Sequence, residues 1–162
     1  MKLRFRHSVR GLILDEQNCL LLYRFTVPVG HLTVWTPPGG GIEKGESHLQ
    51  ALARELDEEV GLQPSGNPAH VWHQHVEMPD LLDGYDGVVN DYYLLRTKRF
   101  TPHGSLGDAE LARELVGDFD WWSVEQLRDR RGDAVFGPRD LPALMSDLVE
   151  SGVPSQPLSI GL

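Results

Sequence analysis

The chemistry-bearing stretch is Arg54-Glu55-Leu56-Asp57-Glu58-Glu59-Val60-Gly61-Leu62, with four acidic side chains in five positions and a glycine after them. Like charges at helical spacing cost about 0.2–0.5 kcal/mol per pair. At about 100° per residue, Glu55, Glu58 and Glu59 are related by i+3 and i+4 and share one flank, whereas Asp57 points elsewhere. They also occupy the last turns of the predicted helix, where the macrodipole favours cations. Carboxylates held on a rigid helix with open positions suit a hard cation such as Mg²⁺, which takes oxygen ligands and shares its shell with substrate phosphates. Upstream, Thr36-Pro37-Pro38-Gly39-Gly40-Gly41 cannot be regular structure, and its backbone can approach a phosphate or an ion closely.

The elements that must position these groups are legible in outline. Ser47 with Gln50 forms a capping box and Gly61 a C-terminal stop, so the spacing predicts a helix over 47–60 that buries Leu49, Leu52, Ala53, Leu56 and Val60. The runs on either side of Glu16-Gln17-Asn18 read as a β-hairpin. Strands are expected over the segments His70–Val76, Gly87–Thr97 and around Trp121-Trp122. Ser123 and Gln126 cap a short helix, and Leu141, Leu144, Met145, Leu148 and Val149 form the apolar face of another. The pattern is α/β (α+β): one domain over 1–152, with 153–162 read as a C-terminal tail.

Composition narrows the partners. A formal charge of −9 over 162 residues argues against a nucleic-acid polymer or an anionic membrane as the main partner. No stretch approaches the roughly 20 apolar residues of a membrane span. The lone Cys19 forms no internal disulfide and points to a reducing, cytoplasmic setting. A homodimer stays open.

Gly40, five residues, Glu46, seven residues, then Arg54 to Leu62 matches G-x5-E-x7-R-E-U-x-E-E-x-G-U, with U aliphatic. Seven fixed identities arise by chance at on the order of 10⁻⁸ per window. In this pattern the chain resembles the Nudix hydrolases, and the Gly-rich lead-in and the later Trp pair before a capped helix resemble them too. The resemblance implies the Nudix fold, a mixed β-sheet sandwiched between helices. It also implies hydrolysis of a nucleoside diphosphate linked to another moiety, by water attack on phosphorus with Mg²⁺, or Mn²⁺ on the same oxygens. Carried onto this sequence, Glu55, Glu58, Glu59 and the Gly39 carbonyl are the metal ligands, and Arg54 pairs with Glu46 to hold the loop. The general base is Glu55 or Glu58 of the pattern or a later acid, with Glu110 and Glu114 ranked ahead of Asp108. Gly40, Gly41 and Arg24 are the substrate-contact candidates. Nucleoside triphosphates, oxidised ones included, come first as substrates and ADP-ribose or nucleotide sugars next. The alternatives are a nucleotide sensor without turnover and a hydrolase of a non-nucleotide diphosphate. His70, His73 and His75 raise a zinc reading that lacks the remaining ligands and ranks below half-exposed strand histidines. Most of the tryptophans are expected in the core.

Overall fold

The computed structural model describes residues 2–26, 32–80, 82–113 and 116–162. Its strands are β1 (Phe5–Leu14), β2 (Leu20–Thr26), β3 (Thr33–Thr36), β4 (Gly39–Gly41), β5 (Ala69–Glu77), β6 (Gly87–Arg96), β7 (Val116–Trp122) and β8 (Leu158–Ile160). The helices are α1 (His48–Val60), α2 (Asp108–Arg113), α3 (Val124–Asp129) and α4 (Leu141–Ser151). The strands build one mixed sheet in the order β3-β2-β1-β6-β5-β8, with β4 on β1 and β7 on β2. β1–β6 and β5–β8 are parallel; the remaining pairs are antiparallel.

Strand alternation divides the apolar residues between two cores. Val9, Ile13, Leu21, Tyr93 and Leu95 pack beneath Ala51, Leu52, Leu56 and Val60 of α1. Leu12, Leu14, Leu20, Leu22, Trp72, Tyr92 and Trp122 pack on the opposite face with Leu127 of α3 and Leu141, Met145 and Leu148 of α4. The sheet is therefore sandwiched between helices, as expected. Trp72 and Trp122 are buried, and Trp35 and Trp121 border the cores.

Three expectations need correction. The Pro/Gly-rich stretch read as unable to form regular structure supplies strand β4 at Gly39–Gly41, because glycine backbone can pair with β1 at close range. β1 and β2 adjoin only at their base, where Leu14 lies beside Leu20. Beyond that point β1 takes β4 and β6 as neighbours and β2 takes β3 and β7, so the hairpin opens to admit the glycine strand. Ala53 is exposed rather than buried. It lies about 100° round from Leu52, just past the covered arc, which extends the other way to Ala51, Glu55 and Glu59.

Residues after Gly152 fold back onto the body. β8 runs parallel to β5 with Trp72, His73 and Gln74 opposite Leu158, Ser159 and Ile160. Ile160 packs against the α3/α4 core.

Candidate active site

Both ends of α1 are held by named bonds. At its start, the Gln50 N–H donates to Ser47 Oγ (3.1 Å) and the Ser47 N–H donates to Gln50 Oε1 (2.9 Å). At its end Gly61 adopts the left-handed conformation (φ 75°) and donates to the Leu56 carbonyl (2.9 Å). The terminal carbonyls are then covered by a loop from far along the chain. His103 donates to Val60, Ser105 to Asp57 and Leu106 to Glu58, at 3.0–3.1 Å. A Cβ on Gly104 would stand 2.1 Å from the Glu58 carbonyl, so only glycine lets that loop approach. The negative end of the helix is thus satisfied by backbone N–H groups even though its last turn carries acids.

The glycine strand lies across the front of this helix. β4 pairs with β1, placing Gly39, Gly40 and Gly41 beside Arg10, Val9 and Ser8. The Gly39 N–H donates to Glu59 Oε1 (2.9 Å), and Glu59 is 1% exposed. A Cβ on Gly40 would lie 2.6–2.7 Å from the Glu55 carboxylate, so Glu55 occupies the space a side chain would need. A Cβ on Gly41 would instead meet the Arg6 guanidinium at 3.3 Å.

Arg54 ties these parts together. Its Nε and Nη2 grip both oxygens of Glu46 (2.8 and 2.9 Å), and Nη2 also donates to the Gly41 carbonyl (2.9 Å). Its Nη1 donates to Glu55 Oε1 (3.0 Å) and Glu58 Oε2 (3.5 Å). Glu43 lies 3.8 Å away. The bidentate pair fixes the loop against the helix, the structural role expected of it. The hydrogen bonds from Arg54, with one from the Glu43 N–H, pull the Glu46 carboxyl down to about 2 from an ordinary 4.5. Four carboxylates thus share one guanidinium, with Glu59 buried alongside.

The residues that could hold a hard divalent ion are the oxygen donors Glu55, Glu58 and Glu59 of α1 and the Gly39 carbonyl of β4. Among the described residues no three carboxylate, imidazole or thiolate groups stand close enough together to hold a metal ion by themselves. An ion that completes its shell with substrate phosphates and water needs no such cluster.

The other candidates are distributed differently. Glu110 is exposed on α2, and Glu114 lies outside the described residues. Arg24 pairs with Asp118 and lies over the Trp35 ring. Arg6, Arg10 and Arg139 instead line a cavity of about 490 Å³ on the sheet face opposite α1. Arg10 Nη1 donates to Tyr23 Oη (3.0 Å) and to the Pro37 carbonyl (2.9 Å). Sequence reasoning missed Arg6 and Arg10; their i, i+4 spacing on one strand, which puts both on the same face, was the available signal. β4 is the partition between the acidic cluster and this cavity, since Gly40 abuts Glu55 and Gly41 abuts Arg6.

The histidines serve a different purpose. A bulge between His70 and Trp72 turns His70 to the side occupied by His73. His70 Nε2 and His73 Nδ1 both bond Asp91 Oδ1, at 2.8 and 2.7 Å. His48 Nδ1 bonds the Tyr93 hydroxyl (2.9 Å), and His75 meets the Phe5 ring edge-on. Two imidazoles thus satisfy a buried aspartate.

Comparison with known proteins agrees with this geometry. The sequence matches the NUDIX domain family over residues 4–142. The RNA pyrophosphohydrolase of Mesorhizobium japonicum is 32% identical over 143 residues, covering 78% of this chain and 79% of its own. That of Campylobacter jejuni is 32% identical over 99 residues, and the match spans 58% of this chain and 61% of that relative's length. The crystal structure of the MutT protein from Methanosarcina mazei Go1 superposes with a TM-score of 0.68 at 18% identity, covering 93% of this chain and 99% of that one. With the whole Gly40–Leu62 pattern folded around β4 and α1, the chain belongs to the Nudix hydrolase family.

Proposed function

We propose that this protein is a Mg²⁺-dependent pyrophosphohydrolase that opens the diphosphate bond of a nucleotide by attack of water on phosphorus. The observation that carries this reading is the meeting of Glu55 and Glu59 with the glycine strand, while Arg54 holds Glu55 and Glu58 on the same helix flank. Glu55, Glu58, Glu59 and the Gly39 carbonyl would hold the ion, and Mn²⁺ would use the same oxygens. When bound, a divalent ion neutralises phosphate charge and makes water a stronger nucleophile at neutral pH.

This chain's own residues do the rest. The Gly39 N–H orients Glu59, and Arg54 holds Glu55 and Glu58 while its grip on Glu46 and Gly41 keeps the loop in place. The new bond joins the water oxygen to phosphorus as the bridging P–O bond breaks, and the water's proton passes to a carboxylate. Glu55, Glu58 and Glu110 are the proton acceptors to test among the described residues, with Glu114, four residues past Glu110, as the remaining candidate. A nucleoside triphosphate would yield the monophosphate and pyrophosphate. ADP-ribose and nucleotide sugars follow as substrates. The lone Cys19 supports a cytoplasmic setting, and no helix among the described residues is long and apolar enough to cross a membrane.

The names carried by the two relatives favour a second reading, in which the triphosphate stands at the 5′ end of an RNA. A chain charge of −9 weighs against a polymer partner. The deciding experiment is chromatographic product identification, with Mg²⁺ or with chelator. The panel holds common and oxidised nucleoside triphosphates, ADP-ribose, nucleotide sugars and a 5′-triphosphorylated oligoribonucleotide. Mg²⁺-dependent release of a monophosphate from the free nucleotides supports the first reading, and release of pyrophosphate from the oligonucleotide alone replaces it with the second. No cleavage anywhere on the panel by folded protein refutes both.

A further inference from the structure

The cavity behind β4 has an apolar lining, with Val34, Met78, Val88 and Pro138 among its walls, and Gln74, Asn90 and Tyr92 contribute polar groups to it. Leu162, just past β8, forms part of its wall. Gln74 is 4% exposed, and its bonds are directional. Its Nε2 donates to the Gly161 carbonyl (2.7 Å), while its Oε1 accepts from Asn90 Nδ2 (2.9 Å) and from the Tyr92 hydroxyl (3.1 Å).

A main-chain carbonyl can only accept, so the nitrogen of the Gln74 amide must face Gly161 and its oxygen must face the other way. Burial pushes the Tyr92 phenol up to about 12, so at neutral pH it stays protonated and donates. Asn90 is then obliged to turn its nitrogen to Gln74, and its Oδ1, which has no hydrogen-bond partner among the described residues, is left for a ligand beside the second N–H. One carbonyl in the C-terminal segment thus sets the donor–acceptor polarity of an amide relay two side chains long. Without Gly161 the Gln74 amide could invert, and Asn90 could invert with it.

We infer that β8 and the Gly161 carbonyl determine ligand selectivity: through Gln74 they fix the Asn90 amide in the one orientation that reads a nucleobase edge bearing a donor beside an acceptor. This rests on the nucleotide reading above. It also supplies a path for the rest of the ligand. Arg6 and Arg10 carry positive charge at the β4 side of the cavity, so phosphates attached to the base would run past Gly41 toward Glu55. Gln74 is accordingly a positioning residue, acting through Asn90.

The test compares dissociation constants by calorimetry for the α,β-imido analogues of ATP, GTP, CTP and UTP, with inorganic tripolyphosphate as the ring-free probe. Three proteins are used: wild type, Gln74→Met, and a chain lacking residues 158–162. Wild type should separate its best and worst bases by at least about tenfold, within the range a bidentate amide–base contact supplies. Gln74→Met and the shortened chain should each compress that spread to about threefold or less while tripolyphosphate binds as before, because the phosphate end does not use the relay. If the shortened chain fails to fold, Gln74→Met decides alone.

A wild-type spread that survives in Gln74→Met overturns the inference, as does an equal loss of affinity for tripolyphosphate, which would mark general damage. Wild type that cleaves nucleotides without base preference overturns the relay and leaves the hydrolase reading standing. Wild type that neither cleaves nor binds any nucleotide overturns both.

Discussion

Gly40→Ala tests the approach of the glycine strand to Glu55. The added Cβ would lie 2.6 Å from Cδ and Oε1 of Glu55 and 2.7 Å from Oε2. To regain ordinary contact at 3.4 Å, the carboxylate must retreat by about 0.8 Å. Glu55 is buried and already bonded to Arg54 Nη1 at 3.0 Å, so its retreat drags on the guanidinium that also holds Glu46 and Gly41. A misplacement near 1 Å at a catalytic group costs about 10²-fold in rate, equivalent to about 2.7 kcal/mol of barrier. Overpacking should cost about 1–3 kcal/mol of stability, and at about 2–4 °C per kcal/mol the melting temperature should fall by several degrees. The assay is steady-state kinetics on the best nucleotide at saturating Mg²⁺, alongside a melting curve. Gly41→Ala is the graded comparison, since its Cβ meets only the far end of the flexible Arg6 side chain, at 3.3 Å. It should lose much less activity. Gly40→Ala within about threefold of wild type would refute the idea that this contact sets the position of Glu55.

Three further outcomes are expected. Glu58→Gln should lose most Mg²⁺-dependent turnover while melting at or slightly above wild type in chelator, because it relieves like-charge repulsion; near-full activity would remove Glu58 from the ligand set. The Glu46 carboxyl is held at about 2 against an ordinary 4.5 by Arg54, so its contribution to stability is present above pH 4.5 and is lost as the pH falls toward 2. Denaturation of wild type and Glu46→Gln across that window should show a steeper acid loss in wild type, and parallel curves would contradict the pairing. Gly104→Ala, whose Cβ would stand 2.1 Å from the Glu58 carbonyl, should lift the 103–106 loop off the end of α1 and speed amide exchange at Ser105 and Leu106, with unchanged exchange as the contrary result.

The pieces legible in the sequence are those fixed by local geometry. The i, i+3, i+4 spacing of Glu55, Glu58 and Glu59 and the Ser47 and Gly61 caps are set by one turn of helix and need no distant partner. The Arg54–Glu46 grip was expected only from the resemblance to the Nudix pattern, and the structure shows the two side chains paired. Even the burial of α1 was right at Leu52, Leu56 and Val60, held in part at Leu49, which is half-buried against the same core, and failed at Ala53, on the margin of the arc.

Long-range pairing was decided by the tertiary structure. One extra residue at the β5 bulge turns His70 toward Asp91, and a period-two reading has no term for an inserted residue. β4 enters beside β1, so the expected hairpin opens and Gly40 meets Glu55, a contact spanning strand and helix. Arg24 on β2 pairs with Asp118 of β7, whereas Arg6 and Arg10 on β1 face the cavity; which strand borders it follows from sheet order, not composition. The segment read as a tail pairs with β5 because that edge of the sheet is open to a parallel strand. Types and spacing along one helix named the acidic cluster. Only the register of strands far apart in the chain placed the glycine strand against it and a cavity behind.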